Sequence, residues 1–225
     1  MKQLTLIALL ALGVAATQSG AADSKGSASD KVPPPSMAPV PAGAYTVDKA
    51  HSSLVMRLDH LGFSHFTARF TRFDAELKFD PVNLAASSAK VTVDPKSIDS
   101  DNAPAGFMDQ LRGEMWLNVA KYPQITFRST KVAGAGTKGM RITGDLTLHG
   151  VTKPVVLNAT YNGGYAGHPM DPHARIGFSA TGTFKRSDFG IAYGIPAPGT
   201  TMGVGDAVNL VIEAEFSGPP LPSTK

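Results

Sequence analysis

Along most of this chain, apolar residues recur at every second position. Ile142, Gly144, Leu146 and Leu148 share one parity, as do Val208, Leu210, Ile212, Ala214 and Phe216. Side chains alternate faces along a strand, so this period buries one face and wets the other. Repeated from Val47 to Phe216 with almost no helical period, it specifies an all-β chain, an antiparallel sheet curled around one interior. Leu54, Met56, Leu58, Phe66, Phe70, Val93, Phe127, Ile142, Leu146, Leu157, Phe178 and Leu210 lie on the inward parity. So do the small residues Ala68, Ala75, Ser129, Gly144, Ala159, Ala180 and Gly182. Small inward residues either fit the taper of a filled barrel or leave room between larger ones, and an eight-stranded barrel allows both. The alternation leaves packed core and ligand cavity open.

Strands are expected at 44–48, 51–60, 66–80, 88–94, 124–132, 139–148, 152–163, 174–186 and 207–217. The run 66–80 changes parity at Thr71-Arg72, which predicts a β-bulge that bends one long strand. Asp80-Pro81, Gly134-Ala-Gly136, His149-Gly150 and Asn162-Gly163-Gly164 supply turns. A short helical segment is expected near 104–119, where Phe107, Met108, Leu111, Met115, Trp116 and Val119 fall at spacings of three and four. Gly113 is expected to break it, and Met108, Leu111 and Trp116 are placed as a lid or plug over one barrel end.

The ends differ from this middle. Lys2, the apolar run Leu4–Ala16 and the small residues Ser19–Ala22 make 1–22 a secretory signal peptide. Residues 23–43, rich in Ser, Ala, Lys and Pro, are expected to be a disordered linker, and 218–225 a disordered tail. The domain is then 44–217. The chain has no cysteine, so no disulfide and no cysteine-linked lipid anchor. A periplasmic or secreted, soluble protein without stable membrane insertion is expected. With 21 basic and 18 acidic residues and no Lys/Arg run, nucleic acid is not an expected partner.

Catalytic patterns are sparse. There is no G-x-S-x-G, and no paired carboxylates stand out. The best candidate for a metal is His168-Pro-Met-Asp171-Pro-His173, a loop that is more often a solvated turn. No catalytic residue, resident metal or cofactor is assigned.

Six segments carry a resemblance to a known family. They are Ala44-Tyr-Thr-Val-Asp48-Lys-Ala-His51-Ser52, Phe79-Asp-Pro81, Val91 to Asp99, Tyr122 to Ser129, Gly144-Asp-Leu-Thr-Leu-His-Gly-Val-Thr-Lys-Pro154 and Arg186-Ser-Asp-Phe-Gly-Ile191. In this order they resemble the YceI-like family of exported lipid-binding proteins, over about 44–216. The resemblance implies a lipocalin-like antiparallel β-barrel of about eight strands, closed at one end and capped by a short helical segment. It further implies an apolar tunnel for a polyisoprenoid chain or an isoprenoid quinone, a possible homodimer and, for some members, a link to stress response.

Two segments depart from the family pattern: Gln110-Leu111 with Glu114–Asn118, where a His-Leu pair and an aromatic-rich stretch are usual, and the proline-rich 192–201. Asp48, His51, His60, His149, Arg186 and Asp188 lie at strand ends or turns, where such residues more often tie a barrel end together than read a headgroup, and both roles stay open.

The expected function is therefore to sequester or carry an isoprenoid lipid or quinone in the lumen. Ligand contacts are assigned to Leu54, Met56, Leu58, Phe66, Phe70, Phe127, Ile142, Leu146, Leu157, Phe178 and Leu210. Two alternatives stay open: a metal-dependent or lipid-modifying periplasmic enzyme, and a ligand-free, stress-related interaction module.

Overall fold

The computed structural model describes residues 40–221; the signal peptide expected at 1–22 lies outside them. The elements in chain order are β1 (Gly43–His60), β2 (Ser64–Phe70), β3 (Phe73–Phe79), β4 (Ser88–Val93), β5 (Ile98–Asp99), α1 (Phe107–Arg112), β6 (Ile125–Ala135), β7 (Gly139–Leu148), β8 (Val151–Tyr165), β9 (His173–Lys185) and β10 (Ala207–Pro220). Every strand pairing is antiparallel. The order β1-β10-β9-β8-β7-β6-β4-β3 returns to β1 and closes an eight-stranded barrel.

The long first strand has two partners on one side. Gly43–Thr46 pairs with β3, while Leu54–His60 pairs with β2. The run 66–80 is therefore two strands and not one bulged strand. Both halves keep their apolar residues inward, and the parity change marks a corner at Thr71-Arg72. Buried Ser97 pins that corner: its carbonyl accepts from Thr71 N–H (3.1 Å), and its hydroxyl accepts from Arg72 N–H (3.0 Å). The β7–β8 turn is legible in full. His149 and Gly150 both have positive φ, 52° and 76°, as the commonest two-residue hairpin turn demands.

Both domain ends extend past their expected limits. Val40 is buried and Tyr45 donates to the Pro41 carbonyl (2.6 Å), so 40–43 belong to the fold and not to the linker. At the other end Gly218–Pro220 continue β10, and Leu221 N–H donates to Pro172 (2.6 Å). Gly218 is required there because a Cβ would run into the Tyr45 ring. The remainder of the linker and of the tail lie outside the described residues. The helical segment is also shorter than expected. Only Phe107–Arg112 is α-helical, and Gly113 ends it, its N–H bonding back to Gln110.

The interior has two levels. At the end where β1 begins, Tyr45, Phe79, Tyr161, Phe178 and Phe216 form an aromatic plug. Phe79 stacks on Tyr161 at 6.0 Å and meets Phe178 edge-on at 5.6 Å. Burial, with Tyr161 beside it, pushes the Tyr45 hydroxyl up to about 12, so it stays a neutral donor. Ala75, Ala159 and Ala174 fit between these rings. Some of the small inward residues have another role. A Cβ on Gly144 would strike the Phe127 ring, and one on Gly182 would lie 2.6 Å from Leu157 Cδ2. Neighbouring side chains lean over these glycines, so Gly144 does not leave room in the lumen, as does not Ala180, which packs against the plug.

Candidate functional site: an apolar lumen

Beyond the plug the interior opens into a cavity of about 390 Å3, within the ~300–1,000 Å3 typical of small-molecule sites. Leu54, Met56 and Leu58 of β1, Phe66 and Phe70 of β2, Phe127 of β6, Leu146 of β7, Leu157 of β8 and Leu210 of β10 border it. Ile142 and Phe178 do not. Parity fixes the face a side chain points to but not its height in the barrel. Phe178 belongs to the plug, and Ile142 packs at the boundary, against both the plug and the cluster around Leu146.

The segment between β5 and β6 covers the cavity at the far end from the plug. Leu111 and Trp116 border the lumen as lid residues, joined by Phe107 and Leu117. Met108 does not reach it and packs instead against the cluster of Ala68, Phe70, Val93, Ile98 and Leu111. Val155, Phe184, Val208 and Ile212 also line the wall. Each shares strand parity with a residue assigned inward, so the alternation contained them. Ile191 and Val204 come from the irregular stretch between β9 and β10, where no period exists to find them.

Polar side chains on the lining are few: His60 and Ser64 at the mouth, Thr126 and Arg186. No carboxylate borders the cavity among the described residues. Arg186 is 2% exposed and is spent on backbone. Its Nε donates to Gly205 (3.0 Å), Nη1 to Ile191 (3.0 Å) and Tyr193 (2.8 Å), and Nη2 to Val204 (2.8 Å). Burial draws its pKa below the usual guanidinium value, with Asp206 acting against the shift. Asp206 itself is bonded to Ser187, through both N–H and hydroxyl. The guanidinium also lies 4.9 Å over the Trp116 ring, whose other neighbour is Tyr193 at 5.7 Å. Arg186 thus fastens the 191–205 loop and the lid to one barrel end, the tying role expected for it.

The His168-Asp171-His173 loop does not gather as a metal site. Asp171 is occupied by the Tyr165 hydroxyl (2.7 Å) and Arg175 Nε (3.0 Å), while His168 Nδ1 accepts from Met170 N–H. Among the described residues, the group close enough to share an ion is Asp48, His51 and Glu215. There Asp48 already accepts from His51 Nδ1 (3.1 Å), Arg175 and Ala50 N–H (3.0 Å). The Arg175 guanidinium already pairs with the Asp48 carboxylate that a cation would need.

The His51 and Arg175 hydrogen bonds hold Asp48 down to about 2, against an ordinary carboxylate value of 3.8. A depressed folded-state pKa stabilises the fold above the unfolded value and loses that contribution as the group is protonated. Stability from Asp48 is thus complete above about pH 4 and fades towards pH 2. At pH 6, Asp48→Asn is expected to lower Tm by roughly 2–4 °C. The difference from the parent should shrink steadily between pH 4 and 2. A difference that does not change over that window would contradict the assignment.

The family description "YceI-like domain" matches residues 45–216. The chain belongs to the YceI-like family. A UPF0312 protein of Vibrio cholerae is 41% identical over 152 residues, covering 67% of this chain and 78% of its own length. The crystal structure of Burkholderia cenocepacia BcnA is 30% identical with a TM-score of 0.63, covering 75% of this chain and 98% of that one. A Campylobacter jejuni YceI protein is also 30% identical, with a TM-score of 0.61 over 72% of this chain and 90% of its own. At 16% identity, a polyisoprenoid binding domain from Saccharophagus degradans shares the fold, with a TM-score of 0.57 over 79% of this chain and 99% of that one. In this YceI-like chain the family fold thus encloses a half-filled lumen, plugged by aromatics at one end and lidded at the other.

Proposed function

We propose that this protein is an exported carrier that sequesters one long apolar lipid, of polyisoprenoid or isoprenoid-quinone type, in its lumen. The carrying observation is the cavity, whose wall is aliphatic and aromatic except for four residues. Burial of apolar chain supplies roughly 25 cal/mol per Å2 before ordering costs, so affinity accumulates along a chain with few polar contacts. The shared fold with a domain described as polyisoprenoid binding supports the isoprenoid class. The leader-like 1–22 and the absence of cysteine support an exported, unanchored protein in the periplasm or outside the cell.

Binding suits the site better than catalysis. His60 at the mouth has no carboxylate on the cavity wall to act with it, and Arg186 is committed to carbonyls. A wholly packed interior, which a ligand-free module would favour, is confined to the plug half.

Trp116 is the sole tryptophan and stands in the lid, so its emission reports occupancy of the lumen. Titration with polyprenols of increasing length should show affinity rising roughly tenfold per isoprene unit, then levelling once the lumen is full. Exchange of the headgroup should change little. Equal affinity for a short headgroup fragment and for a long chain would overturn this reading.

A further inference from the structure

The stretch between β9 and β10 rises over the cavity mouth together with the β1–β2 turn. From Ile191 to Gly205, and again from Leu61 to Ser64, there is no Asp, Glu, Lys, Arg or His. The two segments are laced to each other: Leu61 N–H donates to Gly203 (2.9 Å), Gly205 N–H to Asp59 (2.8 Å), and His60 pairs with Val204. Gly62, at φ 72°, packs under Thr201. From this uncharged face Phe63 is 83% exposed, Met202 71% and Tyr193 46%. Their neighbours His60, Ser64 and Val204 border the cavity.

We propose that this face docks reversibly on a lipid bilayer, so that cargo passes between membrane and lumen without crossing water. The inference rests on the lipid-carrier reading. A ligand apolar enough for this lumen resides in a lipid phase, and the apolar rim is continuous with the wall that would receive it. Loops without charge enter the headgroup boundary without the cost of desolvating an ion, and exposed aromatic and apolar side chains gain by burial there. A second copy of the chain fits less well. The exposed parts of these three side chains come to on the order of a few hundred Å2, well short of the ~800 Å2 per partner of a stable protein interface.

The opposite end of the barrel supplies an internal control, because Val82 (95% exposed) and Met170 (92%) stand on the turns beyond the plug. The test is co-flotation of protein from Asp23 to Lys225, which holds the whole barrel, with phosphatidylcholine vesicles, with and without added phosphatidylglycerol. Phe63→Ser with Met202→Ser should weaken association about tenfold or more. Val82→Ser with Met170→Ser should leave it unchanged, and the anionic lipid should add little. Binding that needs the anionic lipid, an equal loss in both double variants, or a dimer abolished by the first pair would overturn the proposal. Polyprenol titration without vesicles should be unaffected by either pair. If vesicle docking persists while no variant and no parent protein binds polyprenol, the carrier reading fails and the docking face stands.

Discussion

Replacing Arg186 with methionine is expected to lower the unfolding free energy by about 3–5 kcal/mol. The substitution keeps an unbranched apolar stem and removes all the donors. The carbonyls of Ile191, Tyr193, Val204 and Gly205 then lose their shared partner at once, in a place where Arg186 itself is almost inaccessible to water. An unpaired buried polar group costs roughly 1–3 kcal/mol, less where the loop can open to water. The Trp116 ring would lose the cation over its face as well, so its emission should shift with the 191–205 loop. Lysine should recover little, because a single ammonium cannot span four acceptors held in a fork. Urea unfolding with far-UV detection measures the loss. A change below about 1 kcal/mol would show that the guanidinium is not the tie described.

The second large effect is a contrast between the two halves of the interior. Leu210 and Met56 are cross-strand partners on the cavity wall, and Leu210 also faces Gly182. Changing both to phenylalanine puts two rings into empty space. Tm should hold or rise, while polyprenol affinity should fall about a hundredfold or more as chain burial is lost. The same logic at Ala159, between the plug rings, predicts the reverse: Ala159→Phe overpacks and costs about 1–3 kcal/mol without occupying the cavity. If the wall pair destabilised the barrel as much as the plug variant, the lumen would be a packed core and the cavity would lose its role.

Those two halves also mark what was legible in the sequence. Alternation carried the inward faces of β1, β2, β6, β7, β8 and β10, since a strand buried on one side has no other way to place its apolar residues. It carried no height. Phe127 and Phe178 have the same parity signal, yet one faces the cavity and the other fills the plug, because stagger between strands sets the level and only register reveals it. The Thr71-Arg72 corner shows a related limit. A change of parity looks alike whether one strand bulges or two strands part, and the choice falls to Ser97, twenty-five residues away.

Gly144 shows a local limit: a missing side chain on the lumen face is compatible with open space or with a covering neighbour, and here the Phe127 ring lies across it. The lid was half visible, because a six-residue helix followed by turns gives period to Leu111 and leaves Met108 ambiguous. The 191–205 loop has no period at all. Its part in the site follows from the Arg186 hydrogen bonds, which are a property of the folded chain.

In the carrier proposed above, the lumen holds a lipid. Protein purified from its native host without detergent, extracted with organic solvent and analysed by mass spectrometry, tests it most directly. Close to one equivalent of a long-chain isoprenoid lipid or quinone per barrel is expected, and its loss from the Leu210→Phe, Met56→Phe double variant prepared alongside. Folded parent protein that yields no lipid, or the same extract from parent and double variant, would contradict it.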